Sequence, residues 1–141
     1  MPYVTGIVLA LGSALLARVA GFDRDRAFYP TLLIVIASYY VLFAAIGGSG
    51  HALIVESIAL ALFACIAIVG FRATLWVVAA ALLGHGVFDF VHGRLVSNPG
   101  VPAWWPAFCL AYDASLAALL ALLLRRGAIP ARRPEPKSSV G

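Results

Sequence analysis

Residues 84–113, GHGVFDFVHGRLVSNPGVPAWWPAFCLAYD, decide how the rest of the chain is read. Two histidines, two aspartates, a cysteine and a tyrosine stand here in sequence that otherwise looks like lipid-embedded helix. Ionisable groups at the centre of a membrane helix cost roughly 2.5–3.5 kcal/mol each on the insertion scale, so each needs a partner or a task. In the middle, Ser97-Asn98-Pro99-Gly100 and Pro102 break the apolar pattern. The stretch therefore predicts two spans joined by a short, stiff loop that holds them as an antiparallel pair. Pro106 falls in the first turn of the second span, where a missing N–H costs little.

Outward from that pair, the apolar pattern continues. Of the 141 residues, 63% are hydrophobic and only 11% charged, against about 25% charged in soluble domains. A soluble fold of this length has too little interior to hide so much apolar surface, so lipid must be the solvent for much of it. Five segments have the length needed for roughly 30 Å of hydrocarbon. They are Val4–Ala20, Phe28–Gly47, His51–Gly70, Thr74–His92 and Trp104–Leu124, separated by GFDRDRA, GGSG, FRA and the proline loop. Long Ala- and Leu-rich runs without a period of two exclude strands. The expected fold is an all-α integral membrane bundle of five transmembrane helices in residues 1–126. Residues 127–141 read as a disordered basic cytoplasmic tail.

Charge orients the bundle. Arg18, Arg24, Arg26, Arg72, Arg125, Arg126, Arg132, Arg133 and Lys137 all fall on one side, and Arg94 alone on the other. Positive residues mark the cytoplasmic side, which predicts a multi-pass protein of the cell membrane with its N-terminus outside and C-terminus inside. Trp104 and Trp105 then sit at the outer headgroups. The N-terminal MPYVTG lacks the basic region of a signal peptide. Two cysteines, Cys65 and Cys109, are too few for a disulfide framework. The net charge of +4 is small and gathered at one end, so nucleic acid is not an expected partner.

Depth follows from the helical rise. His51 lies at the outer interface with Glu56 roughly 7 Å below it, and Asp89 and His85 lie roughly 5 and 10 Å deeper than His92. Cys109 and Asp113 fall roughly 7 and 13 Å below Trp104. Acids and imidazoles from three helices thus converge on one layer of the outer half. His85, Asp89 and His92 share a sector of roughly 60° on their helix. Tyr39 and Tyr40 are about 100° apart, so only one of them can face the cluster.

Imidazole and carboxylate are the ligand set of zinc, iron or manganese. The same groups could form a proton-transfer cluster, or a closed hydrogen-bond network that only fixes helix packing. His85 and His92 stand roughly 10.5 Å apart along the axis. One ion would therefore take His85 with Asp89, or Asp89 with His92, more easily than all three.

At these residues the chain resembles a family of small integral membrane proteins from bacteria and fungi that is catalogued as a domain of unknown function. The resemblance rests on a His-x3-Asp-x2-His element (His85, Asp89, His92) and an Asn-Pro-x-x-Pro loop (Asn98, Pro99, Pro102). Cys109, Asp113 and an acid in an earlier helix, Glu56, complete it. It implies a shared membrane fold and polar site and carries no activity.

The leading expectation is a membrane-embedded, metal-dependent enzyme acting on a lipid or other apolar substrate. His85, Asp89, His92 and Asp113 are the candidate ligands of a divalent metal, with Glu56 and Asp113 as catalytic acid or base. The alternatives are a proton- or cation-coupled transporter and a structural membrane subunit.

Overall fold

A computed structural model describes residues 1–132, which are all-helical in their regular structure. The helices are α1 (Pro2–Ala20), α2 (Phe28–Ile46), α3 (Gly50–Arg72), α4 (Leu75–Leu95) and α5 (Trp105–Arg125). Each is long and apolar enough to cross a membrane, and each lies where the apolar runs put it. Their ends follow local chemistry. Pro2 and Pro106 occupy first-turn positions of α1 and α5. The Ser49 hydroxyl accepts the Ala52 N–H at the start of α3. Gly21, at φ 78°, closes α1 in the left-handed conformation.

The polarity of the bundle is inside out relative to a soluble protein. Leu15, Val19, Ile54, Ile58, Leu62, Val87 and Phe90 face outward, while Glu56, His85, Asp89, His92 and Asp113 are buried. Lipid as the surrounding solvent accounts for both halves of that pattern. The chain is a multi-pass membrane protein.

α4 is the central helix. Half of its spanning window is buried, against 17% for α3, and it packs on α5, α3 and α2. Small residues set the closest approaches. On α1, Gly6, Ala10, Ala14 and Ala17 form the buried stripe, and a Cβ on Gly6 would come within 2.5 Å of the Phe108 carbonyl of α5. On α4, a Cβ at Gly86 would lie 3.2 Å from the Asp113 Cβ, so the missing side chain lets Asp113 approach α4. Below the polar layer the interior is apolar, with Leu33, Leu75, Leu82, Leu116 and Leu120 fully buried.

α1 packs chiefly on α5 and α2 chiefly on α3. Between α1 and α2 this leaves an apolar groove of about 650 Å³, floored by α5 and lined by residues including Leu9, Leu32, Val35, Phe108 and Cys109.

At the opposite end from the α4–α5 loop, Arg18 Nη1 bonds Asp23 Oδ2 and the Ala128 carbonyl, both at 3.1 Å. Arg26 donates to the Ala131 carbonyl at 2.9 Å, and that carbonyl also accepts the Leu75 N–H. Ile129 is buried. Residues 128–131 are therefore held against the bundle where a disordered tail was expected. Arginine donors and an apolar contact fasten a segment whose composition alone reads as tail. The remainder of that expectation, residues 133–141, lies outside the described residues.

Candidate functional site

The polar residues of α3, α4 and α5 do meet, and they divide into two linked groups. In the first, His85 Nδ1 lies 2.7 Å from Asp113 Oδ2 and 3.3 Å from Asp89 Oδ2. His85 and Asp89 share a face because they are one turn apart on α4, and Asp113 is brought across from α5 by the close contact at Gly86. One ligand atom from each of the three lies within 4.8 Å of the others. All three residues are buried to within 1%. Donors on a single tetrahedral ion at about 2.0–2.2 Å stand about 3.3–3.6 Å apart, so the spacing found here brackets what one ion requires.

Two buried oxygens of this group, Asp89 Oδ1 and Asp113 Oδ1, have no hydrogen-bond partner, and Asp89 Oδ2 has only the 3.3 Å contact with His85. A buried carboxyl without donors loses the hydration that stabilises it and receives nothing in return.

In the second group, Glu56 Oε1 lies 2.6 Å from His92 Nε2 and accepts the Asn98 amide N–H at 3.0 Å. The same Asn98 Nδ2 donates to the Tyr40 carbonyl at 3.0 Å, while its Oδ1 accepts the Gly100 N–H at 3.3 Å. Asn98 thereby ties the loop after α4 to α2 and α3 together. A backbone contact reinforces the tie, because a Cβ on Gly47 would sit 2.6 Å from Gly100 N. His92 also borders a pocket of about 320 Å³ beneath the loop, lined by Ser97, Asn98 and Pro102 among others.

Aromatic rings join the two groups. Tyr40 stacks on His92, with ring centroids 4.0 Å apart. Phe63 meets His85 edge-on at 4.7 Å. Phe88 stands between the imidazoles, 6.2 Å from one and 5.5 Å from the other. The Tyr40 hydroxyl, buried with its ring on His92, lies within electrostatic reach of the Asp89 and Glu56 carboxyls. Cys109 is buried on α5 one turn before Asp113 and within electrostatic reach of Asp89 and Asp113.

Each candidate residue thus has a definite place. His85, Asp89 and Asp113 form one donor set, whereas His92 is turned to Glu56, as the two-turn separation from His85 requires. Of the two adjacent tyrosines, Tyr40 faces the site and Tyr39 lines the groove. His51 and Arg94 are exposed. Sequence reading took Asn98 only as part of a loop motif and did not assign it a contact. Its one visible signal was an amide just after a helix that carries four ionisable groups, His85, Asp89, His92 and Arg94.

No family model, no curated protein and no solved structure matches the chain. The site is accordingly read from its own geometry.

Proposed function

We propose that this chain is a metal-dependent enzyme of the cell membrane acting on a lipid or other apolar substrate. In this reading the α4–α5 loop lies outside and the C-terminus is cytoplasmic, as the arginine distribution favours. The observation that carries the proposal is the convergence of His85, Asp89 and Asp113 in a buried cluster where Asp89 Oδ1 and Asp113 Oδ1 have no hydrogen-bond partner. A cation satisfies all three donors at once, which a single shared proton does not. Three protein donors completed by a water is the pattern of catalytic rather than structural sites. Zinc, iron or manganese suits this donor set.

Bound there, a divalent cation would bring the pKa of a coordinated water down toward neutrality or polarise a carbonyl. The chain's own groups manage the proton. The Glu56–His92 pair, fixed by Asn98, is the chain's proton acceptor and donor in this reading. For an ester, the chemistry supplied would be hydrolysis: water would add to the acyl carbon, the bond from that carbon to the leaving oxygen would break, and the leaving oxygen would take the proton. A pocket borders His92 on the loop side. The joining of the His-x3-Asp-x2-His helix to the Asn-Pro-x-x-Pro loop through Glu56 supports reading the family resemblance as a shared site.

Elemental analysis of the detergent-purified protein, beside Asp89→Asn, tests the reading. A stoichiometric divalent metal that is lost in the variant is expected. Metal-free protein that passes protons or cations in liposomes would replace the enzyme with a transporter. Metal-free protein without flux would leave a cluster that only fixes helix packing.

A further inference from the structure

The metal reading leaves one large feature unused: the groove between α1 and α2. The two helices have no extensive contact with each other. The groove therefore opens sideways toward the surrounding lipid, with α5 as its floor. From Pro2 to Ser13 it follows α1 for about 16 Å, half the thickness of the hydrocarbon core. Its walls are Leu9, Leu32, Val35 and Ile36, and its rim near the loop end carries Trp104 and Trp105.

Its floor is polar at two places. The Tyr112 hydroxyl donates to Ser13 Oγ at 3.0 Å, and both residues line the groove. Cys109 also lines it, one turn of α5 from Asp113, so the groove runs along the same helix that carries a member of the donor set. Cys109 lies five residues below Trp104, about 7 Å along the axis, which is the depth where headgroups give way to acyl chains.

We propose that this groove takes one acyl chain of a membrane lipid, admitted sideways between α1 and α2, with the linkage between chain and headgroup brought to Cys109. The inference deepens the enzyme reading by naming its substrate class, and rests on it for the chemistry alone. Position in the bilayer selects the occupant: an acyl chain is the apolar ligand present in excess at this depth. The hydrophobic effect contributes nothing here, since lipid tails are as apolar as leucine. Retention comes from dispersion contact along a concave wall and from the polar floor, so the chain exchanges with the bilayer.

Photolabelling in vesicles tests this. The full chain is reconstituted in phosphatidylcholine containing a trace of the same lipid with a diazirine midway along one acyl chain. It is then irradiated and its adducts are mapped. Adducts per residue at Leu9, Leu32 and Val35 should exceed those at the lipid-facing Ile54, Ile58 and Leu62 by about fivefold or more. The double variant Leu9→Trp with Val35→Trp, which fills the groove with lipid-exposed positions, should remove that excess and leave α3 labelling unchanged. Ile58→Trp serves as the folding control. Even labelling of groove and α3, or an excess that survives the double variant, overturns the proposal. Efficient disulfide dimers of Leu9→Cys would assign the groove to a second copy and overturn it as well. Metal content is read on the same samples. Wild-type protein that lacks metal but keeps the groove adducts leaves the groove standing without the enzyme, and metal-loaded protein without groove adducts does the reverse.

Discussion

Removing the Glu56 carboxyl should weaken the protein by an amount that depends on what replaces it. Glu56 Oε1 holds His92 Nε2 at 2.6 Å and the Asn98 amide at 3.0 Å, whereas Oε2 has no partner. Glu56→Ala strands both of those groups where water is scarce. At about 1–3 kcal/mol per unsatisfied buried group the loss is about 2–6 kcal/mol. Membrane hydrogen bonds average only about 0.6 kcal/mol, because the unfolded chain in lipid also finds partners, so the lower part of that range is the better expectation. Glu56→Gln keeps an acceptor at the Oε1 position and places its amide nitrogen where Oε2 already lacked a partner. It should cost no more than about 1 kcal/mol, one poorly satisfied donor. Asn98→Ala removes one of the same two bonds, so its effect should be non-additive with Glu56→Ala. Reversible unfolding in mixed detergent micelles, followed by fluorescence of Trp104 and Trp105 beside the loop, measures all four proteins. Equal losses for Ala and Gln, or additivity of the double variant, would refute the shared-acceptor account.

Three further outcomes follow from the same geometry. Metal loading should fall as pH is lowered, since His85, Asp89 and Asp113 bind an ion only when deprotonated; equilibrium dialysis at stepped pH checks this, and loading that rises on acidification contradicts the donor set. Gly100→Ala drives a Cβ into the Phe43 carbonyl and the Gly47 amide, lifting the loop from α2 at a cost of about 1–3 kcal/mol. Gly93→Ala, whose Cβ meets nothing within 4 Å inside α4, should instead stabilise by about 0.5–1 kcal/mol; the two unfolding midpoints should move in opposite directions. A periplasmic reporter enzyme fused after Lys137 should be inactive, and activity there would reverse the proposed orientation.

The five spans were legible because lipid acts on each helix separately. Every backbone group must be satisfied within its own segment, so hydropathy and breakers mark the helices before any packing occurs. The polar layer was legible for a related reason. Glu56, His85, Asp89, His92 and Asp113 are conspicuous against apolar neighbours, and the helical rise gives each its depth.

The pairing of those groups was not legible. Depth and face place His85 and His92 on one side of α4, but which acid each meets depends on how α3 and α5 lean against that side. The contact at Gly86 brings Asp113 to His85, while Asn98 folds back to hold Glu56 for His92. The groove was equally hidden, since it is defined by a contact that α1 and α2 do not make. Sequence alone determined the membrane helices and the layer where charge accumulates, because burial of apolar surface in lipid is a property of each segment. Only the tertiary structure decided that three donors converge while His92 is diverted, because ångström distances between helices depend on interlocking small residues from segments far apart in the chain.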